Sequence, residues 1–250
     1  MSSFNIQAAT FNAESDMNYQ KIRTNTKGGK NVRANLRTQT PRMPLAFDLS
    51  VNTNDDGITK YEISLSFRGQ DDFVKVATFR DMLKAIDEYN ITWATENSVE
   101  LFGEDLTKKR DLVEDRYNPM LKMAKKVEYA PTVRVKLQTK MDSTEPEYVI
   151  FNKEKEEIPI WDSDTGNLDL AFLTRNTDSV LLIEYTGLWV VGKKFGAGWK
   201  LVQGKVYTTN REMGYALEDD PDEEDPEVKQ AAEILGAMKE VTVEDTVNED

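Results

Sequence analysis

The chain has 250 residues, of which 39% are hydrophobic and 31% charged, and it contains neither Cys nor His. This composition excludes zinc fingers, thiolate or imidazole nucleophiles and Ser-His-Asp triads, while the length suits one large globular domain or two small ones. The formal net charge of -13 is concentrated in residues 218–250, which carry 14 acids and 2 bases. No secretory leader or membrane-spanning run is present in the sequence, so an intracellular, soluble protein is expected.

Residues 1–42 are rich in Asn, Thr, Gln, Lys and Arg and poor in large apolar residues. Between positions 17 and 47 there is no acid, and the seven bases are Lys21, Arg23, Lys27, Lys30, Arg33, Arg37 and Arg42. We therefore predict a basic flexible arm that contacts phosphates without reading base sequence. The predicted phosphate contacts are Arg23, Lys27, Lys30, Arg33 and Arg37. The plainer alternative is a disordered leader.

Residues 43–217 are predicted to form the main domain. Alternation of apolar and polar residues predicts strands, in chain order, at 45–51, 61–67, 73–77, 132–140, 148–151, 180–191 and 199–208. Residues from about 78 to 126 are predicted as a helical insertion, with Thr78 as N-cap and Asp81 completing a capping box. Strands, helices and strands without βαβ alternation favour an α+β domain, an antiparallel β-barrel or sheet of OB-like kind with a helical insertion. A β-sandwich fits nearly as well.

Residues 218–250 are predicted to form a solvated acidic tail with a short amphipathic helix. The helix is expected to start at Pro226, and its narrow apolar stripe consists of Val228, Ala231, Leu235 and Met238. This helix either docks on the core of its own domain or binds a partner. An acidic terminus beside a basic surface competes with phosphates, so the tail is also expected to tune affinity for nucleic acid.

The segment Gly187–Lys200 combines glycines, lysines and aromatic residues in a hairpin with a glycine-rich tip. Single-stranded nucleic acid binds such mixtures, because flat rings stack on unpaired bases, lysines contact phosphates and glycine admits close approach. Trp189 lies in an unbroken apolar run and is predicted to be a core residue. Phe195 and Trp199 are predicted to be exposed and to stack on bases. The lysines assigned to the same site are Lys193, Lys194 and Lys200.

The strand at 132–140 alternates apolar residues with Thr132, Arg134 and Lys136. Residues two apart on a strand share one face and lie about 7 Å apart. We therefore predict that Arg134 and Lys136 follow a nucleic-acid backbone, with an ordinary solvated face as the alternative.

Two other patterns are rejected as sites. The spacing from Gly187 to Lys193 matches a phosphate-binding loop until Lys194 stands where Ser or Thr should hold magnesium, and a strand occupies the place of the loop. The Asp and Asn clusters at 52–57 and 162–166 lack the bidentate Glu of a calcium loop. No metal, cofactor or enzymatic activity is predicted, although a metal-dependent nuclease built from carboxylates alone is a third, weaker hypothesis.

Together, residues 129–137 and 187–200 resemble the single-stranded-DNA-binding proteins of nucleocytoplasmic large DNA viruses, especially those of algal viruses. The likeness covers about residues 45–215 loosely. It implies an OB-like fold, sequence-independent binding of single-stranded DNA, and a role in viral replication, recombination or repair. It also implies backbone contacts at Arg134 and Lys136, and a binding hairpin whose residues are Lys193, Lys194, Phe195, Trp199 and Lys200.

These observations give a non-enzymatic single-stranded-DNA-binding protein as the first hypothesis. The alternative is a virion or nucleoid-associated structural or assembly protein, in which Phe195 and Trp199 would be packed or lie at a protein interface. The first hypothesis implies single-stranded DNA or RNA as ligand, replication proteins recruited through the tail, and a second copy of the chain as an optional partner, but no membrane. The expected location is the host cytoplasm, in a viral factory, or the nucleus.

Overall fold

The computed structural model describes residues 5–26, 28–55, 57–126 and 128–208. The helices are a short 3-10 helix (Ala8–Thr10), α1 (Ala13–Asp16), α2 (Val74–Glu96), α3 (Ser98–Phe102) and α4 (Arg110–Arg116). The strands are β1 (Asn5–Ile6), β2 (Arg23–Thr24), β3 (Lys30–Val32), β4 (Arg37–Gln39), β5 (Met43–Pro44), β6 (Ser50–Thr53), β7 (Thr59–Ser66), β8 (Tyr117–Asn118), β9 (Leu121–Lys122), β10 (Thr132–Leu137), β11 (Val149–Phe151), β12 (Asp178–Val191) and β13 (Lys194–Tyr207).

All of these strands belong to one sheet, whose main path runs β1-β4-β12-β13-β10-β7-β6. At its centre, β12 and β13 form a long antiparallel hairpin. The other edge of β13 is divided among three short strands, because β8, β10 and β11 follow one another along it, each parallel to β13. The α+β class is confirmed, whereas the expected antiparallel barrel or sheet is corrected to an open, mixed sheet. Long connections let these strands return to β13 in the parallel direction, which short hairpins cannot do.

Helix α2 packs on the buried face of the sheet. Its apolar stripe consists of Phe79, Met82, Leu83 and Ile86, which are buried in one cluster with the sheet residues. The helix begins at Val74, so the strand predicted at 73–77 is wrong, and the Thr78 hydroxyl donates to the Val74 carbonyl instead of capping the helix. The helical insertion is present but ends at Arg116, after which β8 and β9 follow.

The N-terminal region is part of the sheet in its described residues, which corrects the prediction of a flexible arm. Strands β3 and β4 pair with β12, and β1 pairs with β4. Val32, Ala34, Leu36 and Thr38 alternate along this segment and are all buried. These four residues stand singly between basic and polar neighbours, so the composition of the segment indicated a flexible arm although the alternation is that of a strand.

A bulge at Gly187 changes which residues of β12 face the core. Gly187 has φ +88°, and a Cβ there would lie 2.2 Å from the Val32 carbonyl oxygen, so no other residue fits. Before the bulge, Ile183 and Tyr185 are buried, whereas after it Leu188 is buried and Trp189 is only half-buried. The extra residue therefore turns the Trp189 side chain away from the core.

A buried polar network ties the N-terminal segment and α2 to the sheet. Tyr19 and Tyr185 are joined by a 2.9 Å hydrogen bond, and both contact the Asn90 side chain. Asn90 donates to the Tyr117 hydroxyl at 2.8 Å, and that hydroxyl donates to Asp87 at 2.5 Å. Burial raises the pKa of Asp87, although the hydrogen bond from Tyr117 works in the opposite direction.

The compact unit that contains the sheet ends at Thr208. The acidic tail at 218–250, its amphipathic helix and the domain end predicted at residue 217 lie outside the described residues. In the part of the chain that the structure describes, no helix is both long enough and apolar enough to cross a bilayer.

Candidate nucleic-acid interface

The strand residues that point away from the core form a second face of the sheet, which we call the outer face. Alternation along the central strands separates it from the buried residues. Its central members are Arg37 on β4, Leu182, Glu184, Thr186 and Trp189 on β12, Gly196, Gly198, Lys200 and Lys205 on β13, Arg134 and Lys136 on β10, and Glu62 on β7.

Trp189 lies at one end of the outer face above a floor of glycine. Its register partners are Gly196 on β13 and Asn31 on β3. A Cβ on Gly196 would lie 2.7 Å from Cζ2 of Trp189 and 2.9 Å from the Asn118 carbonyl oxygen, so the indole lies directly across this glycine. Gly198 leaves further open floor, since its nearest side-chain atoms are 3.4 Å or more from an added Cβ. The half-buried indole has no aromatic neighbour among the described residues.

A row of charged side chains crosses the sheet beside this floor. Arg37 pairs with Glu184 at 2.5 Å, Lys200 pairs with the same carboxylate at 3.3 Å, and Lys136 is the register neighbour of Lys200 on the next strand. Burial would raise the pKa of Glu184, but the hydrogen bond from Arg37 and the charge of Lys200 outweigh it and lower the pKa. With Arg134, the row holds more cations than anions.

Arg134 and Lys136 are exposed side by side, as the sequence predicted, while their apolar neighbours on β10 are buried. The Arg134 guanidinium is 3.3 Å from Glu62, and this exposed pair contributes little to stability. Both cations are therefore available to a ligand that crosses β10.

Lys122 is a further cation of this site that the sequence analysis missed. It lies opposite Thr132, which is two residues from Arg134 on the same face of β10, and its ammonium donates to the Asn118 side chain. Burial and then the charge of Arg134 lower the pKa of Lys122. When a neighbouring cation destabilises the charged form of a lysine, the local electrostatic potential is positive, and a bound anion is favoured there. Only the pairing of β9 with β10 brings it there.

This lowered pKa predicts a pH dependence of anion binding. Only the charged ammonium attracts phosphate, so affinity for an oligonucleotide should fall as pH rises through the lowered pKa, before ordinary lysines titrate near 10.5. In Lys122→Arg the charge persists, and affinity should stay flat over that window. Fluorescence anisotropy of a labelled deoxyadenylate oligomer, whose bases do not titrate between pH 7 and 10, compares the two proteins over that range, and identical profiles would mean that the Lys122 charge does not contribute to binding.

The two lysines at the tip of the β12–β13 hairpin face the helical insertion instead of the outer face. The Lys193 ammonium is 2.7 Å from Glu104, and Lys194 donates to the Asp115 carbonyl at 2.8 Å. Hydrogen bonds from Lys193 and then from Arg116 lower the pKa of Glu104. These contacts join the hairpin tip to α4 and its preceding loop.

The prediction that Phe195 and Trp199 are exposed is wrong, since both have 0% exposed surface. Phe195 packs between Phe102 and Tyr117, with ring centroids 5.5 and 5.0 Å away, and Trp199 packs edge-on against Tyr185 at 5.5 Å. Both rings occupy inward positions of β13, where their polar neighbours gave no indication of burial. Trp189, predicted to be a core residue, is half-buried on the outer face, whereas Trp199, predicted to be exposed, lies in the core.

The bases predicted in the arm are distributed between two environments. Arg23 is exposed and pairs in register with Asn31, at the Trp189 end of the outer face, and Arg33 is also exposed. Lys30 points the other way, where its ammonium donates to the carbonyls of Glu100 and Leu101, the latter at 3.1 Å. Lys27 lies outside the described residues. Within the described ranges, no group of three Asp or Glu side chains is arranged to hold a metal ion.

Comparison with known proteins gives a family and a group of distant structures. A model described as a family of unknown function, DUF5871, matches residues 61–220. No curated protein matches the chain. The single-stranded DNA-binding protein from bacteriophage Enc34, in complex with single-stranded DNA, is 12% identical with a TM-score of 0.43, covering 77% of this chain and 97% of that chain. The single-stranded DNA-binding protein gp2.5 of bacteriophage T7 is 9% identical with a TM-score of 0.44, covering 74% and 98%. At such scores the likeness is too distant to assign a function.

Proposed function

The chain belongs to the DUF5871 family, for which no function is stated, and we propose from its outer face that it binds single-stranded nucleic acid without sequence preference. The observation that carries the proposal is the position of the Trp189 indole on a glycine floor, with Lys122, Arg134, Lys136 and Lys200 beside it. An indole can stack on any base, and cations that follow a strand contact phosphates regardless of sequence.

The shape of the site favours single strands over duplexes. The Trp189 indole is half-buried on the outer face across Gly196, so a base must be unstacked before it can lie against the ring. Stacking contributes about 1–3 kcal/mol per base, which a base-paired ligand gains only after it is opened. Binding by stacking and by charge requires no catalytic group, so the proposed function is not enzymatic.

We further propose an OB-like fold and a role in viral replication, recombination or repair. The segment 43–45 supports an OB-like arrangement, because β5 pairs with β12 while Leu45 forms a bridge to Leu65 on β7. The segment thus connects two strands from separate parts of the sheet, as in the partly open barrel of OB folds. The strong acidity of residues 218–250 supports a tail that competes for the outer face and recruits replication proteins. The resemblance to proteins of large DNA viruses supports a role in viral replication, recombination or repair, in the host cytoplasm or nucleus.

The second candidate is a virion or nucleoid-associated structural protein. Under this hypothesis Phe195 and Trp199 are packed or lie at a protein interface, and the burial of both residues agrees with it. Both rings pack inside their own domain, however, so neither offers a surface for assembly. Trp189 is half-buried, and its position on the outer face is the one that stacking under the first hypothesis requires.

Trp189→Ala is expected to weaken binding of a labelled 16-mer of thymidylate by about 1–3 kcal/mol, because the stacking surface is lost while the fold remains. The measurement is fluorescence anisotropy at two salt concentrations, with a duplex of equal length for comparison. Trp161→Ala is the matched control, since Trp161 is also half-buried but belongs to no strand of the outer face.

Equal affinity of wild type for the duplex and the single strand would contradict the proposal. Absence of binding to either ligand, together with a self-assembled state in solution, would favour the structural candidate instead. Deletion of residues 218–250 should strengthen binding if the tail competes with the ligand.

A further inference from the structure

Two adjoining clefts lie at the opposite end of the outer face from Trp189. Their volumes are about 470 and 690 Å³, and they share Gln39 and Val180. Among the described residues that line them, none is acidic, and the cationic ones are Arg42, Lys75, Lys155 and Lys205. Residues 1–217 carry nearly equal numbers of acids and bases, so this is a local excess of positive charge.

Phe151 supplies a free aromatic ring in the first cleft. It is half-buried on β11, and it lies in one row with Lys205 on β13 and Val180 on β12. Lys155 lines the same cleft. Among the described residues no aromatic or cationic group covers the Phe151 ring.

Tyr207 in the same cleft is already covered. The Arg42 guanidinium lies 4.0 Å from its ring centroid and is held by Asp178 at 2.8 Å, while Lys205 lies 5.1 Å from the ring. Tyr207 therefore orders the cations of the cleft, and Phe151 is the ring on which a ligand can stack.

We propose that this cleft is a second stacking subsite, in which Phe151 receives a base of the same strand that Trp189 binds and Lys155 and Lys205 contact its phosphates. The inference rests on the proposed function and extends it. The two rings lie beside positions 196 and 205 of β13, so about nine residues, or about 30 Å, separate them. Only a strand of sufficient length reaches both, and affinity should increase steeply with length.

The test compares a 4-mer and a 16-mer of thymidylate, lengths that bracket the usual site sizes of single-strand binders. Phe151→Leu keeps the apolar contact and removes the flat ring. It should weaken binding of the 16-mer about tenfold, leave the quenching of tryptophan fluorescence by the 4-mer unchanged, and leave the melting temperature close to that of wild type. Phe47→Leu is the matched control, because Phe47 is 60% exposed and lines neither cleft.

A second variant tests the charges. Lys155→Gln with Lys205→Gln should flatten the salt dependence of 16-mer binding by about 1.4 in log–log slope, as expected for two lost phosphate contacts. If both variants bind the 16-mer like wild type while Trp189→Ala weakens it, the second subsite is wrong and the proposed function stands. If wild type binds neither oligomer, the proposed function itself fails.

Discussion

Reversing two charges on β10, Arg134→Glu with Lys136→Glu, is expected to weaken binding of single-stranded DNA by at least about 100-fold. Each side chain is exposed at the centre of the outer face, where a phosphate would accept a charged hydrogen bond. Such bonds contribute about 1.5–3 kcal/mol each, and 1.4 kcal/mol corresponds to a factor of ten. The reversal also places two carboxylates beside Glu62, so the local potential becomes negative and repels the ligand.

The matched control makes the same change of charge elsewhere. Lys84 and Lys108 are exposed in the helical insertion, away from the outer face, and Lys84→Glu with Lys108→Glu should change affinity only slightly. Anisotropy titrations at several salt concentrations compare the two double variants. Equal loss in both would mean that net charge alone governs binding, and the outer face would then have no special role.

Trp199→Ala is expected to reduce the free energy of unfolding by about 3–5 kcal/mol, because it empties a fully buried site in the main core. For a domain of this size, that loss lowers the melting temperature by roughly 6 to 20 °C. Thermal unfolding followed by circular dichroism measures it. Binding at a temperature where the variant is still folded should be nearly unchanged, since the side chain never reaches the surface.

Trp199→Phe separates packing from contact with the ligand. The indole Nε1 is buried and has no hydrogen-bond partner among the described residues, so its removal costs no hydrogen bond. Removing this unpaired polar group is favourable, and it offsets part of the free energy lost with the smaller side chain. We expect a small loss of stability and unchanged affinity. A large loss of affinity with an intact fold would show that Trp199 contacts DNA, and the assignment of Trp189 as the stacking residue would then be wrong.

The sequence predicted the elements whose pattern is local. The alternation on β10 correctly separated buried Val133 and Val135 from exposed Arg134 and Lys136. The turn between β6 and β7 and the pairing of β12 with β13 were likewise predicted from alternation and turn residues. These features are determined by residues close together in the chain, so they can be predicted from the sequence. The strand predicted at 199–208 begins earlier, at Lys194, so Phe195 lies within β13 and not in the turn.

The prediction went wrong where a distant contact decides the outcome. The Gly187 bulge moves Trp189 to the outer face because β3 approaches it closely, and nothing near residue 187 in the sequence indicates that approach. Lys122 joins the site only through pairing of β9 with β10, and Phe151 only through pairing of β11 with β13. Lys193 and Lys194 are held at the helical insertion by Glu104 and the Asp115 carbonyl, which lie about 90 and 80 residues earlier in the chain.

The division of one edge of β13 among three short strands has a consequence for local unfolding. β8 is held to β13 by two register pairs and β11 by three, whereas the β12–β13 hairpin is held by twelve. Because Tyr117 of β8 and Ile150 of β11 are buried, opening either strand must also expose core side chains, so both strands depend on the packing of the core more than on their pairing. Asn118 on β8 and Phe151 on β11 lie at the two ends of the outer face. The two ends of the outer face therefore stay in place only while the core stays packed, whereas the hairpin between them is also held by its own backbone pairing.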